Sequence, residues 1–467
     1  MGNAKKRSGS VASMLPVLLA CSFTASFGQS MMNVALPELA ERFGVTLSIA
    51  NWVIVGYMVV AATAIMLSAF MLRRLGLRRV FFVGAGALGS ACALLSQDFP
   101  MLFASRLVQA VGTGLFFPSV TSVIMTNSPA AVRGTRLALN SGVIAVGLAI
   151  SPTASGFALT QFGWRAMFVV SLAMSVALLA VGFFRIHGGP STKRVPIDAL
   201  SVMLGPLGLA AFLYGLGEVT RDLAPSLAAL AVGAVLLALF AWRQFALESP
   251  LLDLHPLVHP RFAVGILLVM VGMLTSFSMS ILLPLYYEGA LGYTAFFAGL
   301  LLLGPVLVNA AFTFLGGRVF DRHGAWPLIP AGLVLVLVGQ AAAFFSAESM
   351  IAILIVLSSA AVYAGAGFVV APSKTAALGT LPPATYSAGA SINSTAAQIA
   401  SAIGSSLFVG VLSADVLRDT AAGAAKASAY AAAFEHTLSI AVVIAAAGLL
   451  VAFFYARAMR KPAGKQR

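Results

Sequence analysis

Charged residues are scarce in this sequence. Asp, Glu, Lys and Arg make up 9% of the 467 residues, whereas hydrophobic residues make up 60%. A water-soluble chain of this length needs many more polar side chains to cover its surface. Apolar stretches of roughly 20 residues, the length of a membrane-spanning helix, recur along the chain. The composition therefore excludes a soluble protein and predicts an all-α membrane protein.

Cysteine is nearly absent, since Cys21 and Cys92 are the only two in the sequence. Both lie inside apolar stretches, and their spacing fits neither a metal site nor a disulfide framework. The sequence also lacks the patterns His-Glu-x-x-His and Gly-x-Ser-x-Gly, and it has no paired aspartates within a spanning segment. We therefore predict that the protein is not an enzyme and has no catalytic residues, no metal and no cofactor.

Acidic residues are also few, with 14 Asp and Glu against 28 Lys and Arg, and the formal net charge is +14. In a soluble protein this balance would suggest a nucleic-acid partner, but here the basic residues gather in short loops between apolar stretches. Such loops mark the cytoplasmic side of a membrane. We therefore predict no nucleic-acid partner, a multi-pass protein of the bacterial cell (cytoplasmic) membrane, and both termini in the cytoplasm.

Fourteen apolar segments have a spanning length, which predicts fourteen transmembrane helices. They lie near residues 14–37, 47–71, 80–96, 101–125, 137–160, 165–186, 198–217, 225–245, 262–287, 295–317, 327–346, 351–372, 387–412 and 436–458. Residues 413–434, between the last two segments, are predicted to form the longest external loop.

The chain also contains an internal repeat. Arg73-Arg74-Leu75-Gly76 and Asp321-Arg322-His323-Gly324 each follow the second helix of a group of six, and Ser26-Phe27 recurs as Ser276-Phe277. We predict two six-helix bundles joined by an inserted helical pair. The predicted domains are a cytoplasmic tail (1–13), the first bundle (14–186), a linker with two inserted helices (187–260), the second bundle (261–458) and a second cytoplasmic tail (459–467).

Short motifs stand in a fixed order along these segments. They are Asn33-Val34-Ala35-Leu36-Pro37 in the first segment; Arg74, Gly76, Arg78 and Arg79 after the second; Arg106, Gln109, Gly112 and Gly114 in the fourth; Gly147, Pro152 and Gly156 in the fifth; and Gly317, Asp321, Arg322 and Gly324 as a second copy of the loop motif. Their order and spacing resemble those of the major facilitator superfamily, and specifically of its fourteen-helix drug/proton antiporter branch.

The resemblance implies a major-facilitator-type fold and a function. It implies a monomeric secondary active transporter in the lipid bilayer that exports drug-like or amphipathic small molecules by alternating access, with protons as the coupled ion. The alternative is a proton-independent facilitator or a lipid-type transporter of the same fold. In the family, the loop motifs and the fifth-helix motif serve gating. For Pro152 and its neighbouring small residues, the alternative is close packing without gating.

Arg106 is the most informative single residue. A cation within a spanning helix costs at least roughly 2.5–3.5 kcal/mol, so this side chain must face protein or water. Either it is held by backbone carbonyls or Gln109 as a structural element, or it contacts substrate or tunes a protonation step, as the resemblance implies. We predict a substrate site lined by polar and aromatic residues, whose alternative role is helix packing. These residues are Gln29, Asn33, Tyr57, Arg106, Asn140, Phe277, Asn309 and Gln398.

The sequence also departs from the family pattern. Gly28, followed by Gln29, stands where the branch usually has an acidic residue, and Arg73 stands where the loop motif has Asp. Proton coupling at the usual place, and a preference for cationic drugs, therefore do not follow from the resemblance. The remaining candidates for proton coupling are Glu288, Glu218 and Arg106. The two glutamates lie near helix ends, where simple solvation is the alternative.

Overall fold

The structure is a computed structural model that describes residues 2–89, 91–128, 130–186, 198–326, 328–382 and 385–458. These residues contain α-helices and no β-strand. The helices are α1 (Gly2–Ser30), α2 (Leu36–Phe43), α3 (Leu47–Ala50), α4 (Trp52–Leu75), α5 (Leu77–Leu88), α6 (Phe99–Asn127), α7 (Ala130–Phe162), α8 (Trp164–Arg185), α9 (Ala199–Glu218), α10 (Leu223–Ala246), α11 (Pro260–Gly289), α12 (Ala295–His323), α13 (Leu328–Ser346), α14 (Ala352–Leu378), α15 (Tyr386–Ala421) and α16 (Lys426–Ala458).

Each of the fourteen predicted segments overlaps a helix, but the described residues include only twelve helices of full spanning length and apolar composition. These are the α3–α4 segment and α6 to α16. The other two predicted crossings are shorter than predicted. The apolar part of α1 is Met14–Ser30, and α5 has 12 residues.

The first apolar run extends to Pro37, but α1 ends at Ser30. Residues 31–35 form a turn, and Pro37 stands in the first turn of α2, where its missing N–H is tolerated. Helix α5 ends at Gly89, which lies so close to the side chain of Ser175 in α8 that no larger residue fits without a shift. At its other end, α1 begins at Gly2, before the predicted start at residue 14. The loop 187–197 and the predicted tail 459–467 lie outside the described residues.

The prediction of a long external loop at 413–434 is wrong. Helix α15 continues to Ala421 and α16 begins at Lys426, so only a short turn joins them. This segment is rich in alanine, the residue with the highest helix propensity. The turn is made by Gly423, whose φ of +91° suits a residue without a side chain.

The chain divides into two compact units. The first contains Met1–Phe212, Ala229–Leu251 and Thr294–Leu300, and the second contains Leu213–Ala228, Leu252–Tyr293 and Leu301–Arg467. The inserted pair, α9 and α10, is therefore shared between the units. In the first unit, Asp198 at the start of α9 accepts hydrogen bonds from Arg243 of α10, with Oδ2 to Nε at 2.6 Å and Oδ1 to Nη2 at 2.7 Å. In the second, the last turn of α9 packs at Gly217 against Gly410 of α15.

The two units repeat one packing detail. In the first, a methyl group added at Gly147 of α7 would collide with Ser26 of α1. In the second, a methyl group added at Gly404 of α15 would collide with Ser278 of α11. The first and fifth helices of each predicted bundle therefore pack through an equivalent glycine–serine contact. The structural counterpart of Ser26 is therefore Ser278. The sequence repeat instead pairs Ser26 with Ser276, two residues earlier.

Candidate functional site

Arg106 of α6 is fully buried in the first unit and is held by neutral groups. Its Nη1 donates to the carbonyl oxygen of Gly28 at 3.1 Å and to Gln109 Oε1 at 2.9 Å, and its Nη2 donates to the same carbonyl at 3.1 Å. The guanidinium carbon lies 4.2 Å from the ring centroid of Tyr57 in α4, a cation–π contact. We call Arg106, Tyr57, Gln109 and the Gly28 carbonyl the arginine cluster.

The backbone of α1 provides the centre of this site. Beside the Gly28 carbonyl, the Phe27 carbonyl accepts a hydrogen bond from Ser151 Oγ of α7 at 2.6 Å. Residues 31–35, directly after this point, form a turn between α1 and α2. The carbonyls at the end of α1 are thus bound by side chains from α6 and α7, which fixes the position where the first spanning helix stops.

Tyr57 joins a second chain of hydrogen bonds through the same helices. Its hydroxyl lies 2.5 Å from Thr113 Oγ1 of α6, and Thr113 donates to the carbonyl of Ala25 in α1 at 3.3 Å. The glycines of the fourth-segment motif allow this convergence. Gly112 approaches the carbonyl of Gly84 in α5, and Gly114 approaches α4. The small residues of α6 therefore bring three helices close enough for their polar groups to meet.

The other predicted polar residues of the first unit are buried as well. Gln29 is 7% exposed and Asn33 is fully buried, and Asn33 Nδ2 donates to Ser30 Oγ at 3.3 Å. Asn140 of α7 accepts a hydrogen bond from Ser22 Oγ of α1 at 2.7 Å. An apolar cleft of about 380 Å³ lies beside this pair, and its lining residues are Phe23, Leu139, Gly142, Val143 and Val146.

The predicted site residues of the second unit lie on three helices. Phe277 of α11 is buried, and its carbonyl accepts a hydrogen bond from Ser280 Oγ at 2.6 Å. Asn309 of α12 donates from Nδ2 to the carbonyl of Tyr363 in α14 at 2.8 Å. Gln398 of α15 is 6% exposed. Within this unit Asn309 serves a helix–helix hydrogen bond, the role that we considered as its alternative.

The two glutamates proposed for proton coupling lie at the ends of α9 and α11. Glu218 Oε2 is 3.6 Å from Arg221 Nη1, and the glutamate side chain is 13% exposed. Glu288 is half-buried beside Gly289, against which the ring of Tyr430 packs. Both glutamates are therefore partly buried at helix ends.

Sequence reasoning missed a more deeply buried carboxylate. The side chain of Asp415 in α15 is 6% exposed; its Oδ1 lies 3.0 Å from Arg418 Nη1, and its Oδ2 accepts a hydrogen bond from His436 Nδ1 of α16 at 2.6 Å. We call these three residues the Asp415 cluster. The sequence analysis did not identify Asp415 as a site residue because residues 413–434 were predicted to form an external loop. The signal that could have found it is the uninterrupted helix-forming composition of that segment.

Glu38 of α2 is another acidic residue with a structural role that the sequence did not indicate. It is half-buried and accepts a hydrogen bond from the backbone N–H of Trp164 at the start of α8. Burial raises the pKa of Glu38, and this hydrogen bond opposes the rise. The carboxylate caps the N-terminus of α8, where negative charge is favourable.

The loop-motif arginines lie at the surface of both units. Arg74, Arg78 and Arg79 are exposed, and Arg78 lies over the rings of Phe82 and Phe183. Gly76, between α4 and α5, has a φ of +77°, and its counterpart Gly324 has a φ of +73°. Arg322 is exposed and Gly317 faces open space. The side chains of Arg73 and Asp321 lie outside the described part of the structure.

The fifth-helix motif forms close helix contacts in the first unit. Gly156 of α7 packs against the backbone of Ala295 and Phe296, and Gly299 packs against the Pro152 carbonyl. Thr153 Oγ1 donates to the carbonyl of Gly299 at 2.9 Å. Gly147 on the same helix contacts α1, as described above. The motif therefore joins α7 to α1 on one side and to residues 294–300 on the other.

Within the described residues, no group of three or more His, Cys, Asp or Glu side chains is arranged to hold a metal ion. The site consists of a buried arginine on neutral partners, buried amides, an apolar cleft and glycine-mediated helix contacts. Together with the spanning helices, these features define a multi-pass membrane transport protein.

The Major Facilitator Superfamily profile matches residues 18–405 and also residues 265–466. The chain therefore belongs to the Major Facilitator Superfamily. It is 31% identical over 460 residues to the lincomycin resistance protein LmrB of Bacillus subtilis, a match that covers 95% of each chain. It is 28% identical over 317 residues to the methylenomycin A resistance protein of Streptomyces coelicolor, covering 67% of this chain and 66% of that protein.

Solved structures agree with this assignment of the fold. A bacterial homolog to the human lysosomal transporter Spinster, in an inward-facing and unoccupied conformation, matches with a TM-score of 0.68 and 16% sequence identity. The match covers 97% of this chain and 99% of that one. At this level of identity the likeness concerns the fold alone.

Proposed function

We propose that this chain is a secondary active transporter that exports drug-like or amphipathic small molecules across the bacterial cytoplasmic membrane by alternating access, driven by protons moving the opposite way. It acts as a monomer and is not an enzyme. The relatives named for lincomycin and methylenomycin A resistance support export of small molecules.

The observation that carries this proposal is the apolar cleft beside the buried Asn140–Ser22 pair. Its volume of about 380 Å³ falls within the range of small-molecule sites, which are mostly apolar with a few placed polar groups. All five lining residues are apolar, so the cleft matches the apolar body of an amphipathic molecule. The cleft therefore favours an amphipathic compound over a sugar or an inorganic ion.

The inserted pair supports membership of the fourteen-helix branch. Helices α9 and α10 are both long and apolar enough to cross the membrane. With the shorter α1 and α5 counted as crossings, the total is fourteen and both termini lie in the cytoplasm. Cysteine labelling from outside should therefore modify a cysteine placed at Ala424, in the turn before α16, but not one placed at Ala463. The reverse pattern would overturn this topology.

The second candidate is a proton-independent facilitator or lipid-type transporter. It is favoured by the neutral partners of Arg106, since the described ion pairs include none with this residue and Gly28 supplies only a carbonyl. The experiment that separates the two uses purified protein in proteoliposomes and measures lincomycin uptake with an acidic or a neutral lumen. Antiport predicts faster uptake into the acidic lumen, whereas a facilitator predicts equal rates.

A further inference from the structure

Among the described residues, the hydrogen-bond and ring partners of Arg106 include no carboxylate. Its partners are two backbone carbonyls, one amide oxygen and one aromatic ring, all neutral. Arginine remains protonated in proteins, so the guanidinium carries a full positive charge. The dipoles of the neutral partners stabilise this buried charge, but their net charge is zero. The positive electrostatic field of Arg106 therefore extends beyond its partners.

The sequence itself limits what could balance this charge. Residues 1–186 contain three acidic residues, Glu38, Glu41 and Asp98. Glu38 binds the first N–H of α8, and Asp98 Oδ1 accepts a hydrogen bond from the backbone N–H of Met101 at the start of α6. Glu41 is exposed on α2. Each of the three lies outside the spanning helices.

An unbalanced charge in a spanning region acts over a long range. The effective dielectric constant inside a protein is far lower than that of water, so charges several ångströms apart still interact strongly. A cationic solute near the arginine cluster is therefore repelled, while an anionic solute is attracted. This applies without direct contact, since Arg106 is buried and its donors are largely occupied.

Position 28 is where a balancing group would fit. A Cβ added at Gly28 would meet only the Tyr57 hydroxyl at 3.6 Å and a methyl of Leu88 at 4.0 Å, both ordinary contact distances. The glycine is thus not required by packing, unlike Gly112 or Gly114 on α6, whose added Cβ atoms would collide with neighbouring backbone. A carboxylate on this Cβ would start from the residue whose carbonyl already binds Arg106.

We propose that this protein carries uncharged or anionic amphipathic molecules and rejects permanent lipophilic cations, and that Gly28 determines this preference. The inference rests on the proposed function, because it names the charge class of the transported molecule. The absence of a side chain at position 28 leaves the positive field of Arg106 uncancelled, and an acidic side chain there would cancel the field and remove the selection.

Tetraphenylborate and tetraphenylphosphonium test this directly, because they share size and shape and differ in the sign of their charge. Binding of each to the purified full-length protein is measured by thermal shift over a range of concentrations. We expect the wild type to bind tetraphenylborate more tightly, by about tenfold or more, which corresponds to about 1.4 kcal/mol. Gly28→Asp should move this ratio toward the cation by about tenfold, because one added negative charge cancels the positive charge of Arg106.

Gly28→Asn is the matched control, because it has the same shape as aspartate without the charge and should keep the wild-type ratio. The wild-type ratio needs no substitution, so the proposal stays testable even if Gly28→Asp does not fold. A wild type that binds the cation as tightly as the anion would overturn the inference, as would a folded Gly28→Asp variant with an unchanged ratio.

The proteoliposome experiment separates this inference from the proposed function. If lincomycin is transported but the cation is bound more tightly, the charge preference fails alone. If no compound is transported while the anion is bound more tightly, the proposed function fails and the charge preference of the site stands.

Discussion

The buried charges of the two units differ in kind. In the first unit the buried charge is Arg106, whose partners are carbonyl oxygens, an amide and an aromatic ring. In the second unit it is Asp415, which is paired with Arg418 and His436. The first charge is permanent and unbalanced, whereas the second is balanced by ionisable groups that reach solvent.

In the proposed proton-driven transporter, the two buried charges would serve two different tasks, selection of solutes by charge and proton coupling. A permanent charge selects solutes by the sign of their charge but cannot carry a proton, since arginine does not deprotonate in proteins. Histidine is the side chain whose ordinary pKa, about 6.5, lies within the range of cellular pH. Under the proposed function, we assign charge selection to Arg106 in the first unit and proton coupling to the Asp415 cluster in the second.

The largest expected effect concerns Arg106. Arg106→Leu leaves the Gly28 carbonyl and Gln109 Oε1 buried without their donor, and each orphaned group costs ~1–3 kcal/mol. We expect the variant to lose roughly 2–5 kcal/mol of stability. The measurement is the melting temperature in detergent. The control is Arg165→Leu, which removes an exposed arginine that also binds two carbonyls and stacks on an aromatic ring. Equal melting temperatures for the two variants would show that Arg106 is not structurally central.

The second prediction concerns the Asp415 cluster. Asp415→Asn removes the buried carboxylate that binds both Arg418 and His436, so pH-driven uptake should fall by about tenfold, or 1.4 kcal/mol in the driving step. Asp419→Asn is the matched control, because Asp419 binds the same Arg418 but is more exposed. Uptake under an imposed pH gradient checks this. If uptake by Asp415→Asn responds to the pH gradient as the wild type does, Glu288 and Glu218 are the remaining candidates for proton coupling.

The third prediction tests whether the two units are equivalent in packing. Gly147→Val and Gly404→Val each introduce a side chain against a serine of the neighbouring helix. Overpacking of this kind costs ~1–3 kcal/mol, so both variants should melt at similarly reduced temperatures. Gly142→Val on α7 is the control, because an added Cβ there meets no atom within 4 Å. A large loss in one variant and none in the other would contradict the structural repeat.

The smallest expected effect concerns the inserted pair. The Arg243 guanidinium holds the pKa of Asp198 well below its usual range. A lowered carboxyl pKa stabilises the fold above the unfolded value, about pH 4, and this contribution is lost as the pH falls further. Asp198→Asn should therefore lower the melting temperature by about 1–3 °C at neutral pH.

The difference between Asp198→Asn and the wild type should shrink only below about pH 4. Asp253→Asn, which removes an exposed partner of His255, serves as the control. A difference that is the same at every pH would mean that the ion pair does not act through the charge of Asp198.

The sequence predicted the helices well where apolar runs alone decide them. It failed where tertiary contacts decide, as at the end of α5, where the contact between Gly89 and Ser175 cannot be seen in a hydropathy pattern. It also failed at 413–434, because polar residues there suggested a loop although alanine favours a helix.

The site residues, like the helices, were predicted where the sequence alone determines their environment and missed where tertiary contacts determine it. Arg106 was recognisable because a cation in an apolar run is costly. Its main acceptor was not, because the Gly28 carbonyl is a backbone group whose role depends on how α1 and α6 converge. Asp415 required knowledge that α15 and α16 run on as helices and bring His436 beside it. The domain boundaries and the roles of the other site residues stay predictions.

The central claim is that protons drive export through this chain, and proteoliposome flux tests it most directly. Purified wild type and Asp415→Asn are reconstituted in parallel, and lincomycin uptake is followed with an acidic and with a neutral lumen. We predict that the acidic lumen accelerates uptake by the wild type and has little effect on the variant. Uptake by the wild type that ignores the gradient would contradict the account and identify the protein as a facilitator.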